Sequence, residues 1–305
     1  MGIELTNEQK KVVTFPERML IIKGAAGSGK TLVGLHRAHH MVRDQGSSLF
    51  SGNKKVVFLT FNNSLINELR DKYRSYFGVE ASKRIIFKTY DSFLYMMLKN
   101  IYLSEKPRHQ ISNFNGEWYK YGSNKNFIKN QLRDLNYDYS FIQDELEYIT
   151  VNNFSREEYL KVFRKNRKKR LLKSEREKIY DALTAYREKI DRDFREDGIG
   201  MYNWVIDNKL NPIIRDKDYN NVHTRCPKLY EKFKDVHSII IDESQDFTKT
   251  KIMIMLKVLE IFKEIKSLTF LYDVSQTLYR NTCFSGITSF KSIGIDGRKL
   301  SLIHI

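Results

Sequence analysis

Gly24-Ala25-Ala26-Gly27-Ser28-Gly29-Lys30-Thr31 matches the phosphate-binding pattern G-x-x-x-x-G-K-[ST]. It follows an apolar run, Met19 to Ile22, that is typical of a strand. Glycines let the backbone approach phosphates, and a helix beginning near Lys30 would point its positive dipole end at the anion. All eight residues are therefore predicted to bind a nucleoside triphosphate. Lys30 would reach the β and γ phosphates, and the Thr31 hydroxyl would coordinate magnesium. A glycine-rich turn without a ligand is the alternative.

Carboxylates end a second predicted strand much further along the chain. His237-Ser238-Ile239-Ile240-Ile241 runs directly into Asp242-Glu243-Ser244-Gln245-Asp246. Buried parallel strands are continuously apolar, and ligands of open α/β sheets gather at the carboxyl ends of strands. We therefore predict that Asp242 holds magnesium and that Glu243 orients and deprotonates an attacking water. Alternatively, both residues are solvated turn acids, or they cap a helix beginning near Thr248.

The alternation of strands and helices predicts an α/β fold of the P-loop NTPase type, a parallel sheet with helices on both faces. Five runs are predicted as strands: Met19 to Lys23, Lys55 to Phe61, Arg84 to Lys88, His237 to Ile241, and Ser267 to Tyr272. Each is followed by a polar or helical segment.

A long insert separates the third predicted strand from the fourth. It contains almost no strand-like runs, and helical periodicity occurs at Phe127 to Leu135, Arg156 to Phe163 and Ser174 to Lys189. We therefore predict three parts of the chain. Residues 1–93 form the first part of the nucleotide-binding domain, 94–236 a mostly helical insert, and 237–305 the second part of that domain.

Composition indicates the class of partner and the compartment. The 305 residues carry a formal net charge of +16, which favours polyanionic partners and salt-sensitive binding. The two cysteines, Cys226 and Cys283, are too few for a disulfide framework and suit a reducing cytosol. The sequence shows neither a signal peptide nor an apolar run of about 18 residues, so we expect a cytoplasmic protein without a membrane partner.

Five further motifs accompany the phosphate loop along the chain. They are Leu5-Thr6-Asn7-Glu8-Gln9-Lys10, Val57-Phe58-Leu59-Thr60-Phe61-Asn62-Asn63, Lys88-Thr89-Tyr90-Asp91-Ser92-Phe93, Asp242-Glu243-Ser244-Gln245-Asp246, and Tyr272-Asp273-Val274-Ser275-Gln276-Thr277-Leu278-Tyr279. In this order they resemble the first motor domain of superfamily 1 helicases of the UvrD, Rep and PcrA type. The resemblance implies a RecA-like ATPase core with a helical insert. It also implies ATP hydrolysis, ATP and Mg²⁺ as cofactors, and single-stranded DNA as the partner.

The resemblance assigns roles to individual residues of the nucleotide site. Gln9 would read the adenine edge, and Gln276 would sense the γ-phosphate, completing a catalytic set with Lys30 and Glu243. Gln245 occupies the position that links the hydrolysis site to the nucleic-acid site in the family.

The same resemblance implies a path for nucleic acid. Four residues near the ends of predicted strands would contact single-stranded DNA: Phe61, Asn62, Thr89 and Tyr90. Three positions depart from the family pattern, with Asn281 in place of a Trp that stacks on a base, Asp91 in place of a His, and Tyr272 in place of a Gly. A stacked base contributes about 1 to 3 kcal/mol, so these changes concern DNA binding more than ATP binding.

A basic run, Lys161 to Arg170, is a further candidate for nucleic-acid contact. On a helix its charges would surround the whole circumference, so the segment must be solvated or bound to an anion such as a phosphate backbone. The candidate contacts are Arg164, Lys165, Arg167, Lys168, Lys169 and Arg170. A solvated helix end that serves solubility is the alternative.

The carboxyl-terminal residues, Ser301-Leu302-Ile303-His304-Ile305, stand where the family continues into a second RecA-like domain. That domain supplies arginines that close over the γ-phosphate, and comparable arginines contribute about 10³ to 10⁵ in rate. We therefore expect the isolated chain to hydrolyse ATP weakly, with a missing domain or a protein partner completing the motor. The alternative function is a non-translocating ATP-dependent switch in a defence or polymerase-associated complex, because Gly29 to Arg37 also resembles polymerase-recycling relatives.

Overall fold

The computed structural model of the chain describes residues 4–16, 18–43, 54–90, 92–94, 96–97, 125–152, 154–164, 169–197, 226–247, 249–273 and 300–305. Its centre is a parallel sheet of six strands in the order β3-β2-β4-β5-β1-β6. The strands are β1 (Met19–Lys23), β2 (Lys55–Thr60), β3 (Ile85–Thr89), β4 (Val236–Ile241), β5 (Ser267–Tyr272) and β6 (Leu300–His304).

The five predicted strands are all confirmed, with shifts of one residue at some ends. β2 stops at Thr60 instead of Phe61, and β3 runs from Ile85 to Thr89, one residue later than predicted. Every residue of β5 is buried, as expected for a strand covered on both faces. The predicted α/β class with a parallel sheet is therefore confirmed.

A sixth strand, β6, is absent from the sequence prediction. It pairs with β1 in parallel, with Met19 opposite Leu300 and Lys23 opposite His304. The amide of Ile305 continues the pairing by donating to the carbonyl of Lys23 at 2.8 Å. Leu300–His304 is a short run without a neighbouring motif, and its pairing with β1 determines its strand conformation.

Helices cover both faces of the sheet, as predicted. The helices of the sheet domain are α1 (Asn7–Val13), α2 (Lys30–Arg43), α3 (Asn63–Ser82), α8 (Pro227–Phe233) and α9 (Lys249–Ile261). On one face, Leu20 and Phe58 pack in the hydrophobic cluster that contains residues of α1, α2 and α3. On the other face, Ile21 and Leu59 pack in the cluster that contains residues of α8 and α9. Neighbouring residues of one strand thus point into different cores.

Close packing of α2 on the sheet depends on Gly34. A Cβ atom at this position would lie 2.6 Å from Leu271 Cδ1 in β5, which is closer than non-bonded carbon atoms approach in proteins. On the same helix, the buried guanidinium of Arg37 donates to the carbonyls of Val12 and Val13 and to Thr269 Oγ1. Arg37 therefore fixes the end of α1 against α2 and the sheet.

The insert contains helices with a hydrophobic core of their own. They are α4 (Lys125–Gln131), α5 (Tyr139–Val151), α6 (Arg156–Lys161) and α7 (Lys173–Asp197). Three of them confirm predicted helical segments, although α4 and α6 end earlier than predicted and α7 extends further. Helix α5 lies outside the predicted segments. Each of the four helices contributes buried residues to the shared core, among them Ile128, Leu146, Tyr159 and Leu183.

The boundaries 1–93, 94–236 and 237–305 stay a prediction. Of the helices in the described ranges, none has the length and apolar composition needed to cross a membrane.

Candidate nucleotide-binding site

The phosphate loop lies between β1 and α2, as its pattern predicts. Gly27 and Gly29 have φ angles of 78° and 82°, in the left-handed region where a side chain would cause strain. The loop closes on itself through a bond from the amide of Ser28 to the carbonyl of Ala25 at 3.1 Å. Helix α2 then begins at Lys30, so its positive end faces the loop.

Lys30 is held inside the loop by three oxygen atoms. Its ammonium donates to the carbonyls of Gly24 at 2.9 Å and Ala25 at 2.7 Å, and it forms an ion pair with Asp273 Oδ2 at 3.1 Å. Asp273 immediately follows β5 and is almost fully buried. The sequence prediction does not include Asp273 among the site residues. The signal is nevertheless present, since an acid follows the carboxyl end of β5 as Asp242 follows that of β4.

Thr31 and Asp242 meet across the site, as predicted. The Thr31 hydroxyl donates to Asp242 Oδ2 at 2.8 Å, and the amide of Asp242 donates to the carbonyl of Leu59 at 2.8 Å. Burial, followed by the nearby charge of Glu243, raises the pKa of Asp242 to about 6. The hydrogen bond from Thr31 acts in the opposite direction. A bound cation would also favour the ionised carboxylate.

The donor set fits a magnesium nucleotide. Mg²⁺ in nucleotide enzymes takes one or two protein oxygens and completes its octahedron with phosphate oxygens and water. Thr31 and Asp242 supply two such oxygens, and the described residues contain no cluster of three or more metal-binding side chains. Also in the described part of the chain, the buried Ser28 hydroxyl of the phosphate loop has no hydrogen-bond partner.

Glu243 has a backbone conformation that aims it into the cleft. Its φ and ψ are 52° and 39°, and it is the one non-glycine residue with positive φ among those the structure describes. Such a conformation costs about 1 to 3 kcal/mol and persists only where neighbours enforce it. The side-chain amide of Gln245 donates to the Glu243 carboxylate, and Gln245 Oε1 accepts from the amide of Asp273 at 3.1 Å. Gln245 therefore joins Glu243 to the residue that pairs with Lys30.

Gln9 contacts the phosphate loop directly. Its Nε2 donates to the carbonyl of Ser28 at 3.0 Å, and its Oε1 accepts from the amide of Thr6 at 3.0 Å. Thr6 in turn caps α1 by accepting from the amide of Gln9. This places Gln9 beside the nucleotide site, while its role in reading adenine stays a prediction.

These elements surround one cleft of 330 Å³. Its lining includes the phosphate loop, Glu243 and Asp273, together with Lys72 and Tyr76 from α3. The contribution of α3 is absent from the sequence prediction, because no motif marks these two residues. Gln276 lies outside the described residues.

The predicted nucleic-acid contacts at the strand ends have different environments. Phe61 is half-buried, and Asn62 is exposed and caps α3 by accepting from the amide of Ser64 at 3.1 Å. Thr89 is buried and donates to Ser92 Oγ at 2.9 Å. Tyr90 is only 1% exposed and packs in the core, so its prediction as a DNA contact is corrected to a core residue.

The basic run also requires a correction at Arg164. Its side chain is buried and pairs with Glu145, with Nη2 2.6 Å from Oε2 and Nε 2.8 Å from Oε1. Arg164 therefore neutralises an internal carboxylate and is not a phosphate contact. Lys169 and Arg170 are exposed, in keeping with either the phosphate-binding or the solvated alternative. Lys165, Arg167 and Lys168 lie outside the described residues.

Comparisons with known proteins agree with this arrangement. Residues 5–290 match the family model of the UvrD/REP helicase N-terminal domain. The chain is 30% identical over 99 residues to YjcD of Bacillus subtilis (strain 168), which is assigned as an ATP-dependent DNA helicase, and the match covers 32% of the chain and 12% of YjcD. It is 28% identical over 95 residues to the ATP-dependent DNA helicase PcrA of Leuconostoc citreum, covering 31% of the chain and 12% of PcrA. The matched segments are thus a small part of these much longer relatives.

Proposed function

This chain belongs to the UvrD/REP helicase N-terminal domain family, and on that premise we propose that it binds and hydrolyses ATP as the ATPase part of a DNA helicase or translocase. Hydrolysis is coupled to the binding of single-stranded DNA. The main structural support is the 2.8 Å hydrogen bond from Thr31 Oγ1 to Asp242 Oδ2, close to the Lys30 ammonium. That contact brings the two predicted halves of the nucleotide site together.

The arrangement of the site supports a separate role for each of its polar residues. The phosphate loop binds the triphosphate of ATP, and the Lys30 ammonium moves from Asp273 toward the β and γ phosphates. Thr31 and Asp242 would hold Mg²⁺, which would supply positive charge to neutralise the phosphates during hydrolysis. Glu243 orients and deprotonates the attacking water.

The family resemblance supports roles for two further residues of the nucleotide site. Gln9 reads the adenine edge, and Gln276 senses the γ-phosphate. A cytoplasmic location is part of the proposal, because the two cysteines, Cys226 and Cys283, suit a reducing compartment.

Single-stranded DNA lies along the carboxyl edge of the sheet in this proposal. Phe61 and Asn62 directly follow β2, and Thr89 ends β3, the neighbouring strand. These residues lie on the same edge as the nucleotide site, because parallel strands all end on one side. The net charge of +16 favours a polyanionic partner.

Stimulation of ATP hydrolysis by single-stranded DNA tests the proposal. The expected result is an ATPase rate that rises when oligothymidylate is added to the full chain at low salt. Double-stranded DNA of the same length is the control. Hydrolysis without stimulation by a strand at any salt concentration would contradict the helicase proposal and favour the non-translocating switch.

A further inference from the structure

Two large apolar side chains of the insert are exposed at the junction between α6 and α7. The exposed fraction is 85% for Phe163, which lies just beyond the end of α6, and 63% for Leu172, which immediately precedes α7. In the described part of the chain, Val79 on α3 is the other exposed large apolar side chain. Exposed apolar groups with a polar rim are typical of an interaction site, because a partner that covers them removes apolar surface from water.

Arg176, in the first turn of α7, holds the two sides of this junction together. Its Nη1 donates to the carbonyl oxygens of Tyr159 and Val162, each at 3.0 Å, near the end of α6. Its own amide donates to the carbonyl of Leu172 at 3.0 Å. Because Phe163 directly follows Val162, both exposed apolar residues adjoin chain segments that Arg176 joins. They therefore belong to one region of the insert.

The chain beside each exposed side chain is fixed by a hydrogen bond or an ion pair. Arg164 directly follows Phe163, and its buried side chain pairs with Glu145. On the other side of the junction, the amide of Leu172 donates to Glu175 Oε2 at 2.7 Å. Both positions are thus held in place before any partner binds, which lowers the entropic cost of association.

The junction is also strongly basic. Every ionisable residue at positions 161–173 is a lysine or an arginine. Three of these cations are exposed next to the apolar pair in the sequence: Lys161, Arg170 and Lys173. We call these three cations together with Phe163 and Leu172 the junction surface. A partner that covers the two apolar side chains therefore has to supply negative charge as well.

We propose that the junction surface docks an acidic segment of a protein partner, with apolar side chains of that segment against Phe163 and Leu172. The carboxylates of the segment face the exposed cations. This arrangement matches protein interfaces in general, which have an apolar centre and a polar rim. Opposite charges also accelerate the encounter of two partners. The proposal concerns a surface of the insert and does not depend on ATP hydrolysis.

A nucleic acid fits the junction surface less well than an acidic peptide does. Phosphates would pair with the cations, and a base could stack on the ring of Phe163. Leu172 has no ring on which a base can stack. An acidic peptide that contains leucine and phenylalanine can instead cover both apolar side chains and still supply negative charge.

The test is the binding of two fluorescent peptides to the full chain, measured by anisotropy. The first peptide alternates glutamate with leucine and phenylalanine, and the second combines glutamate with serine at the same net charge. Phe163→Ser and Leu172→Ser each remove one apolar side chain of the junction surface. Val79→Ser is the matched control, because Val79 is 60% exposed but lies on α3, outside the insert.

The wild type is expected to bind the first peptide more tightly than the second. Phe163→Ser and Leu172→Ser should each weaken binding of the first peptide by about tenfold, because each removes an apolar contact. Affinity for the second peptide should stay unchanged in both variants. Melting temperatures should also stay close to the wild type, since both side chains are exposed. Val79→Ser should bind both peptides like the wild type.

Three results would overturn the proposal while leaving the proposed function intact. The first is a wild type that binds neither peptide or binds both equally. The second is an equal loss of affinity in Val79→Ser and Phe163→Ser. The third is a Phe163→Ser variant that loses as much affinity for oligothymidylate as for the first peptide, because the junction surface would then be a site for DNA.

Discussion

Asp273 Oδ2 lies 3.1 Å from Lys30 Nζ, so the lysine of the phosphate loop is paired with an acid at the end of β5. Both side chains are largely buried, with 10% of Lys30 and 1% of Asp273 exposed. A triphosphate that recruits the Lys30 ammonium must compete with this pair. Asp273 thereby links nucleotide binding to the stability of the protein without nucleotide.

Asp273→Asn tests this competition. Removing one partner of a buried ion pair leaves the other charge uncompensated, so we expect the free energy of unfolding to fall by about 3 to 5 kcal/mol. Magnesium ATP supplies a new anion for Lys30, so its addition should raise the melting temperature more in the variant than in the wild type. Thermal melting with and without magnesium ATP measures both effects.

The matched control is Asp235→Asn, which breaks the more exposed pair between Lys55 and Asp235. Surface pairs contribute about 0 to 1 kcal/mol, so this variant should melt close to the wild type. If Asp273→Asn also melts like the wild type, the pair with Lys30 has no energetic role.

Both the stability of the protein and its affinity for magnesium ATP should depend on pH through the protonation of Asp242. Its pKa is raised to about 6 by burial, so the folded protein binds a proton more tightly than the unfolded chain does. This contribution to stability is fully present below the unfolded pKa, about 3.9, and is lost as pH rises through about 6. Magnesium ATP needs the ionised carboxylate and should bind more tightly as pH rises over the same window.

Urea unfolding and nucleotide titrations across this pH window check both trends. Asp242→Asn is the control, because an amide does not titrate there, and both trends should be weaker in it. A wild type whose magnesium ATP affinity is constant across this window would contradict the assignment of Asp242 as the cation ligand.

Glu145→Gln tests whether the buried ion pair between Glu145 and Arg164 stabilises the insert. Glu145 is fully buried and accepts from Arg164, and the Tyr159 hydroxyl donates to its Oε1 at 2.9 Å. Neutralising the carboxylate leaves a buried guanidinium without its counter-ion, so we expect a loss of about 3 to 5 kcal/mol in the free energy of unfolding. Chemical denaturation measures the change.

Asp181→Asn is the surface counterpart in the same insert, since Asp181 pairs with Arg156 at 3.3 Å in an exposed position. We expect a loss below about 1 kcal/mol there. A loss in Glu145→Gln as small as that in Asp181→Asn would show that the buried network does not stabilise the insert.

Local sequence patterns predict the centre of this fold well. The strand before the phosphate loop and the strand before Asp242 each contain a short apolar run directly next to a motif, so pattern and tertiary structure agree. The contact between Thr31 and Asp242 follows, because parallel strands end on one edge of the sheet.

Features that depend on tertiary contacts are harder to predict. β6 forms on the edge of β1, which a five-residue run containing Ser and His does not reveal. Arg164 belongs to a run that is basic by composition, yet burial of Glu145 on α5 determines its partner. Tyr90 follows β3 in a motif associated with DNA, but the packing of Phe247 against it places it in the core. In each case the partner is distant in sequence and carries no local signal.

Nucleotide binding and turnover, measured separately in Glu243→Gln, test whether this cleft hydrolyses ATP. The amide keeps the shape of Glu243 but removes the base, so we predict magnesium ATP affinity close to the wild type and a turnover rate lower by about 10² to 10⁴. Lys30→Ala should instead lose nucleotide binding altogether, and Glu80→Gln, an exposed change on α3, should alter neither property. Wild-type turnover in Glu243→Gln would contradict the assignment of this cleft as the site of ATP hydrolysis.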